Sequence, residues 1–178
     1  MTSLPRTRIE GLAPEVGAAP HLETAVSVLK RENVRRVLVL GRVDGAVARR
    51  LHGEGRDIVL VDCASRAADL ARAVAKAPGL ERLIDDSVES GATFDAVVAD
   101  MQDGPSVPAA YLATDFWEDV KRLLRPGGLV LVNVTDELHA IRAWSPFQRA
   151  LATTGFTAMV LSPRYGCGNR LLVTSRAR

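Results

Sequence analysis

The sequence predicts an α/β domain built on one mostly parallel sheet with an antiparallel last strand. Three observations carry that prediction. Short apolar runs such as VLVLG, DIVLVD and FDAVVAD alternate with segments of helical spacing. The runs are continuous rather than alternately apolar and polar, as strands are when both faces of a sheet are covered. The last two runs, FTAMVLS and NRLLVTS, are joined only by PRYGCG. That link is too short for a helical crossover, so the pair should be antiparallel.

The elements follow in order. Residues 1–20 contain Pro5, Pro14 and Pro20 with Gly11 and Gly17 and read as a loose arm; residues 21–178 read as one domain. HLETAVSVLKREN has helical spacing, with Leu22, Val26 and Leu29 on one face. RRVLVLG is a buried strand, and GAVARRLHGEG is a helix closed by glycine. DIVLVD is the second strand. SRAADLARAVAKA is a helix that Ser65 caps and that stops before Pro78. LERLI is a short third strand and FDAVVAD a stronger fourth. PAAYLATDFWEDVKRLL reads as one helix ended by RPGG, and LVLVNV as the fifth strand. DELHAIRAWSPFQRALATTG is a helix with a kink expected at Pro146, before the closing strand pair. That makes seven strands.

Composition narrows the class. The chain has 178 residues, 47% hydrophobic and 25% charged, with a net charge of +2. Those values suit one soluble domain with a sizeable core. No apolar run reaches the roughly 18 residues of a membrane span. The start, MTSLPRTRIEGLAPEVG, lacks the apolar segment of a secretory signal, so a cytoplasmic protein is expected. Cys63 and Cys167 lie far apart and read as free thiols; His21, His52 and His139 are isolated, and no metal site is expected. Charge is uneven. Ten acids lie between Glu81 and Asp119 against Arg82, and nine bases follow from Lys121 onward against Asp136 and Glu137. The acidic stretch is either solvated surface or a rim suited to a cationic substrate. The basic tail has no aromatic interleaving, which argues against nucleic acid.

In a sheet of this kind, ligands sit at the carboxyl ends of the strands, near the point where strand order reverses. An acid stands at each of the first four exits. Asp44 follows the first strand, inside the turn from Gly41 to Gly45; Asp62 ends the second; Asp86 follows the third; Asp100 and Asp103 follow the fourth as DMQD. Asp62 lies about twenty residues beyond the glycine turn, where a carboxylate accepts both hydroxyls of a ribose; its alternative role is a helix cap. Asp86, or its neighbour Asp85, can accept from an adenine amino group. Asp100 and Asp103 can hold an ammonium and take a proton from an attacking amine, or can cap the turn that follows. A nicotinamide fingerprint, G-x-G-x-x-G/A, fits poorly because Val43 replaces the middle glycine.

Together these motifs resemble the S-adenosylmethionine-dependent methyltransferase fold, and within it the spermidine-synthase-like branch. VLVLGRVDGAVAR is similar to that branch's nucleotide loop. FDAVVADMQDGPSVPAAYLATDFWEDVKRLLRPGGLVLVNV is similar to its central block, a D-x-x-D followed by a proline-containing loop, a helix with an aromatic pair and a glycine turn. GCGNRLLVTS is similar to the closing strand of bacterial members. The resemblance spans about Val34 to Ser175 and implies a Rossmann-like, single-domain methyltransferase fold. It implies S-adenosylmethionine or decarboxylated S-adenosylmethionine as cofactor. Gly41 and Gly45 would shape the loop, Asp62 would take the ribose and Asp86 the adenine edge. Asp44 and Asp100 would hold the amine end of the transferred group, Asp100 would also act as base, and Asp103 would bind a polyamine. The expected function is a small transferase acting on a small-molecule acceptor, an amine or another nucleophile, with a homodimer as the candidate assembly. Residues 1–36 contain no tyrosine, where polyamine synthases carry a gating one, so methyl transfer is favoured slightly over aminopropyl transfer. Arg42 and Val43 replace two loop glycines. The alternative is therefore a non-catalytic member whose modified loop serves binding or assembly.

Overall fold

Among the described residues, six strands line up in the order β2-β1-β3-β4-β6-β5. They are β1 (Arg36–Gly41), β2 (Asp57–Asp62), β3 (Phe94–Asp100), β4 (Leu124–Val134), β5 (Phe156–Leu161) and β6 (Arg170–Arg176). The computed structural model describes residues 20–41, 51, 53–62, 93–100, 109–134, 144–161 and 170–177. The expected arm up to residue 19, the helix SRAADLARAVAKA and the strand LERLI lie outside the described residues. β1 pairs in parallel with both β2 and β3, and β3 with β4. β6 runs antiparallel between β4 and β5, as the short PRYGCG link requires. The mixed α/β class and the antiparallel ending therefore agree with the sequence reading.

Helices cover both faces. α1 (Pro20–Arg31) buries Ala25, Val26 and Leu29 against Val37, Val39, Ala96, Val98, Leu131 and Leu171. It ends in a Schellman turn. Asn33 takes φ 51°, its N–H donates to Lys30 O, and Val34 N–H donates to Leu29 O, each at 3.0 Å. Leu51 and Gly53 are helical, and Gly55 follows with φ 74°, in keeping with a helix closed by glycine.

The opposite face carries a 3-10 turn (Ala109–Leu112), α2 (Thr114–Leu123) and α3 (Trp144–Thr153). All four phenylalanines, Phe94, Phe116, Phe147 and Phe156, pack there with Tyr111 and Trp117. Trp117 is the hub. Its ring meets Phe116 edge-on at 4.9 Å, and its Nε1–H donates to Tyr111 O at 2.9 Å. One sheet face is thus aliphatic and the other aromatic.

Two expectations change. PAAYLATDFWEDVKRLL is not one helix: Ala113, with φ −94° and ψ 125°, is extended and separates the 3-10 turn from α2. The break lets Tyr111 turn its carbonyl toward the Trp117 indole. RPGG does not stop before the strand but is carried inside β4 as a bulge, where the β3 register jumps from Phe94↔Leu124 to Ala96↔Leu129. Gly127 takes φ 72° there, and a Cβ on Gly128 would lie 2.9 Å from Arg125 O and 3.2 Å from Asp95 O. Pro146 stands near the start of the described part of α3, and residues 135–143, on which the expected kink also depends, lie outside the described residues. At the other end, Thr154 Oγ1 and Gly155, with φ 84°, close that helix. Among the described residues no helix is long and apolar enough to cross a membrane.

Candidate functional site

β1 sends the chain to β2 on one side and to β3 on the other, so strand order reverses between β1 and β3. A crevice at the carboxyl ends of those strands is the place where open α/β sheets take their ligands. The register shows which residues end there. Gly41 is level with Asp62 across the β1–β2 pairing and level with Asp100 across the β1–β3 pairing. Three of the sequence-derived positions therefore stand in one row at the switch point. Asp44, Gly45, Asp86 and Asp103 lie outside the described residues, as do Arg42 and Val43.

Asp100 is half-buried and has a defined partner. Asn133 Nδ2 donates to its Oδ1 at 2.9 Å. Strand alternation explains the meeting. Ala99 and Val132 are paired in register, and Val97, Ala99, Val130 and Val132 all face the aromatic side. One residue further, Asp100 and Asn133 both turn to the α1 side. Asn133 is buried, at 6% exposure, in an otherwise apolar strand end.

α1 adds His21. Its carboxyl end feeds the start of β1 within a few residues, so it runs back over the sheet and its first turn lies toward the carboxyl edge. His21 occupies that turn and is buried, at 8% exposure. Burial lowers the imidazole below its ordinary pKa, and the charge of the nearby Asp100 carboxylate partly offsets this. His21, Asp100 and Asn133 thus converge from α1, β3 and β4.

Sequence reasoning missed two of these three. It treated His21 as isolated, although His21, Ala25 and Leu29 are spaced i, i+4, i+8 along the buried stripe of α1. It passed over Asn133, the one polar residue in LVLVNV. Both signals were legible as polar side chains on faces that should be apolar. Two acids of the stretch from Glu81 to Asp119 stand elsewhere. Asp95 is at the opposite edge of the sheet, bound by Arg35 N, Arg36 N and Arg125 Nε at 2.8–2.9 Å. Asp119 is buried on α2 beside Arg122. Those two acids serve the fold. Among the described residues, no group of three or more His, Cys, Asp or Glu side chains is placed to hold a metal ion.

The chain can now be set beside known proteins. No family model matches it. It is 26% identical over 162 residues to the polyamine aminopropyltransferase of Shigella sonnei, covering 80% of this chain and 56% of the relative. The chain thus spans little more than half the length of that curated relative. Among solved structures it is similar to magnesium protoporphyrin IX methyltransferase from Synechocystis PCC 6803 with bound SAM, with TM-score 0.56, 12% identity, and 88% of this chain and 78% of that chain covered. It is also similar to a protein-(glutamine-N5) methyltransferase from Alicyclobacillus acidocaldarius, with TM-score 0.54, 22% identity, and 89% and 90% covered. These likenesses establish the fold as that of the class I S-adenosylmethionine-dependent methyltransferases.

Proposed function

We propose, from the premise that this is a spermidine-synthase-like chain with the class I methyltransferase fold, that it is a small adenosyl-dependent transferase. It would bind S-adenosylmethionine or its decarboxylated form at the carboxyl ends of β1, β2 and β3. It would pass a methyl or aminopropyl group to an amine or another small nucleophile. The observation that carries the reading is the single row formed by Gly41, Asp62 and Asp100 at the strand-order switch.

The donor set fits such a ligand. Glycine at the end of β1 leaves no side chain between the strand end and a bound group. Carboxylates accept hydrogen bonds from ribose hydroxyls and pair with an ammonium. Bound there, the sulfonium compound supplies an electrophilic carbon. The chain's own residues do the rest. Asp62 takes the ribose hydroxyls. Asp100, half-buried, would anchor the cationic end or accept the proton that the acceptor amine gives up as its nitrogen bonds to the carbon and the carbon–sulfur bond breaks, the neutral thioether leaving. His21, kept below its ordinary pKa by burial, is favoured in its neutral form beside that carboxylate. Most of the acceleration would come from holding the nucleophile in line with the reacting carbon. The roles of Asp44, Gly45, Asp86 and Asp103 stay with the resemblance.

Similarity to aminopropyltransferases supports aminopropyl transfer, whereas the tyrosine-free stretch before β1 supports methyl transfer. Val43 in the nucleotide loop supports a second reading, a non-catalytic chain that keeps the fold for binding or assembly. Calorimetry separates them. Titration with S-adenosylmethionine, its decarboxylated form and methylthioadenosine should give saturable heat with at least one compound. Asp62→Ala should weaken that binding at least about tenfold, through loss of charge-assisted hydrogen bonds worth roughly 1.5–3 kcal/mol each. Absence of heat and of a thermal shift with all three would decide for the non-catalytic reading.

A further inference from the structure

β3 and β4 end side by side on the α1 face with an acid and an amide. A strand buried on both sides is normally apolar throughout, and a buried amide costs free energy unless it is hydrogen-bonded. Asn133 breaks the apolar run of β4 one residue before its end, at 6% exposure, and its Nδ2 donates to Asp100 Oδ1 at 2.9 Å. We infer that Asn133 is a positioning residue for Asp100. Its amide holds one carboxylate oxygen against the sheet and leaves the other, Oδ2, to receive the cationic group of the ligand. This rests on the reading that Asp100 meets such a group, and it gives a role to a residue to which neither the resemblance nor the acid spacing assigned one.

Two features support it. The contact joins neighbouring strands one position beyond the paired Ala99 and Val132, so the backbone sets the spacing of the donor and the acceptor. A group locked in this way retains its direction when a ligand arrives, whereas a free carboxylate must be ordered first. The other end of β3 gives the contrast. There Asp95 receives two backbone N–H groups and a guanidinium, and both of its oxygens are engaged. Asp100 receives a neutral amide on Oδ1 alone among the hydrogen bonds described, an arrangement suited to orienting a carboxylate rather than consuming it.

The test compares a ligand that carries the cationic groups with one that lacks them. In calorimetry on the full chain, Asn133→Leu should weaken S-adenosylmethionine binding about tenfold, the scale of one hydrogen bond to a charged group, and leave methylthioadenosine nearly unchanged. Asp100→Asn should show the same selectivity, and the double variant should be no weaker than Asp100→Asn alone. Asn133→Gln, which keeps the amide, should recover part of the loss. Equal weakening for both ligands, or additive losses in the double variant, would overturn the assignment. Failure of the wild type to bind either compound would instead remove the transferase reading. The Asn133 contact is also read without ligand, by comparing the 15N NMR signal of the Asn133 side-chain amide in the wild type and in Asp100→Ala at one fixed pH. A clear displacement of that signal on removal of the carboxylate is expected. An amide signal at the same position in both proteins would overturn the contact whether or not any ligand binds or Asn133→Leu folds.

Discussion

The two ends of β3 carry the same residue type in opposite circumstances. Asp95, at the amino edge, is surrounded by donors: the backbone N–H groups of Arg35 and Arg36 and the Arg125 guanidinium. Its neighbours are paired as well. Lys30 meets Glu54 at 2.6 Å, Arg56 donates to Val34 O, and the Arg36 guanidinium stacks 4.8 Å over Phe94. A groove of about 530 Å³ opens at this edge between Lys30, Arg35, Glu54 and Arg56. Asp100, five residues on, lies at the carboxyl edge, where the neutral amide of Asn133 is its one hydrogen-bond donor among the described residues and the buried His21 is nearby. A saturated carboxylate ties strands together, and one that keeps an oxygen in reserve can serve a ligand. Acid spacing in a sequence cannot tell these apart, because both residues stand at the end of the same apolar run.

Substitutions at the two ends should break the molecule in different ways. The largest effect expected is on transfer in Asp100→Asn. With the carboxylate gone, kcat/KM should fall by about 100-fold or more, the range for removing a general base. Thermal melting should shift little, since the side chain is only half-buried. Equal activity in the variant and the wild type would end the comparison. Asp95→Ala is the converse case. It leaves two backbone N–H groups and a guanidinium without their acceptor, and urea denaturation should show a loss of about 2–4 kcal/mol. Activity per folded molecule should be unchanged.

Gly128→Ala probes the same amino edge through sterics. The added Cβ would meet Arg125 O at 2.9 Å and Asp95 O at 3.2 Å, both backbone atoms with little room to yield. A cost of about 1–3 kcal/mol is expected, the range for overpacking, read by the same denaturation. The smallest effect is in pH dependence. Burial alone would raise the Asp95 carboxyl, but the N–H groups of Arg36 and Arg35 and the Arg125 guanidinium outweigh it, and the net shift is downward. A folded pKa below the unfolded one means that Asp95 stabilises the fold fully above the ordinary carboxylate range. That contribution is lost as pH falls through the lowered value. Melting temperature should therefore fall less steeply with acid in Asp95→Asn than in the wild type. Parallel curves would show that the Asp95 contacts contribute no net stability.

The sequence by itself determined the sheet, because apolar periodicity and link length are local properties that depend on burial and chain geometry. Continuous apolar runs specified buried parallel strands, and PRYGCG specified the antiparallel ending. Glycine placement marked the end of β1, and acid spacing picked out Asp62 and Asp100, which the register then set in one row with Gly41. What the local pattern could not supply was partnership. Ala113 breaks the expected long helix, and the two pieces share the aromatic core with the Trp117 indole bonded to Tyr111 O. RPGG became a bulge because β4 continues beside β3 on both sides of it. Asp95 and Asp100 acquired different partners only when strands more than thirty positions apart in the chain brought their donors to them, Arg36 N to one and Asn133 to the other. His21 came to the same edge because α1 runs back over the sheet before the chain enters β1. Hydrophobic periodicity is written within one segment, whereas a hydrogen-bond partner is chosen between segments, and only the tertiary structure decided which donors each carboxylate received.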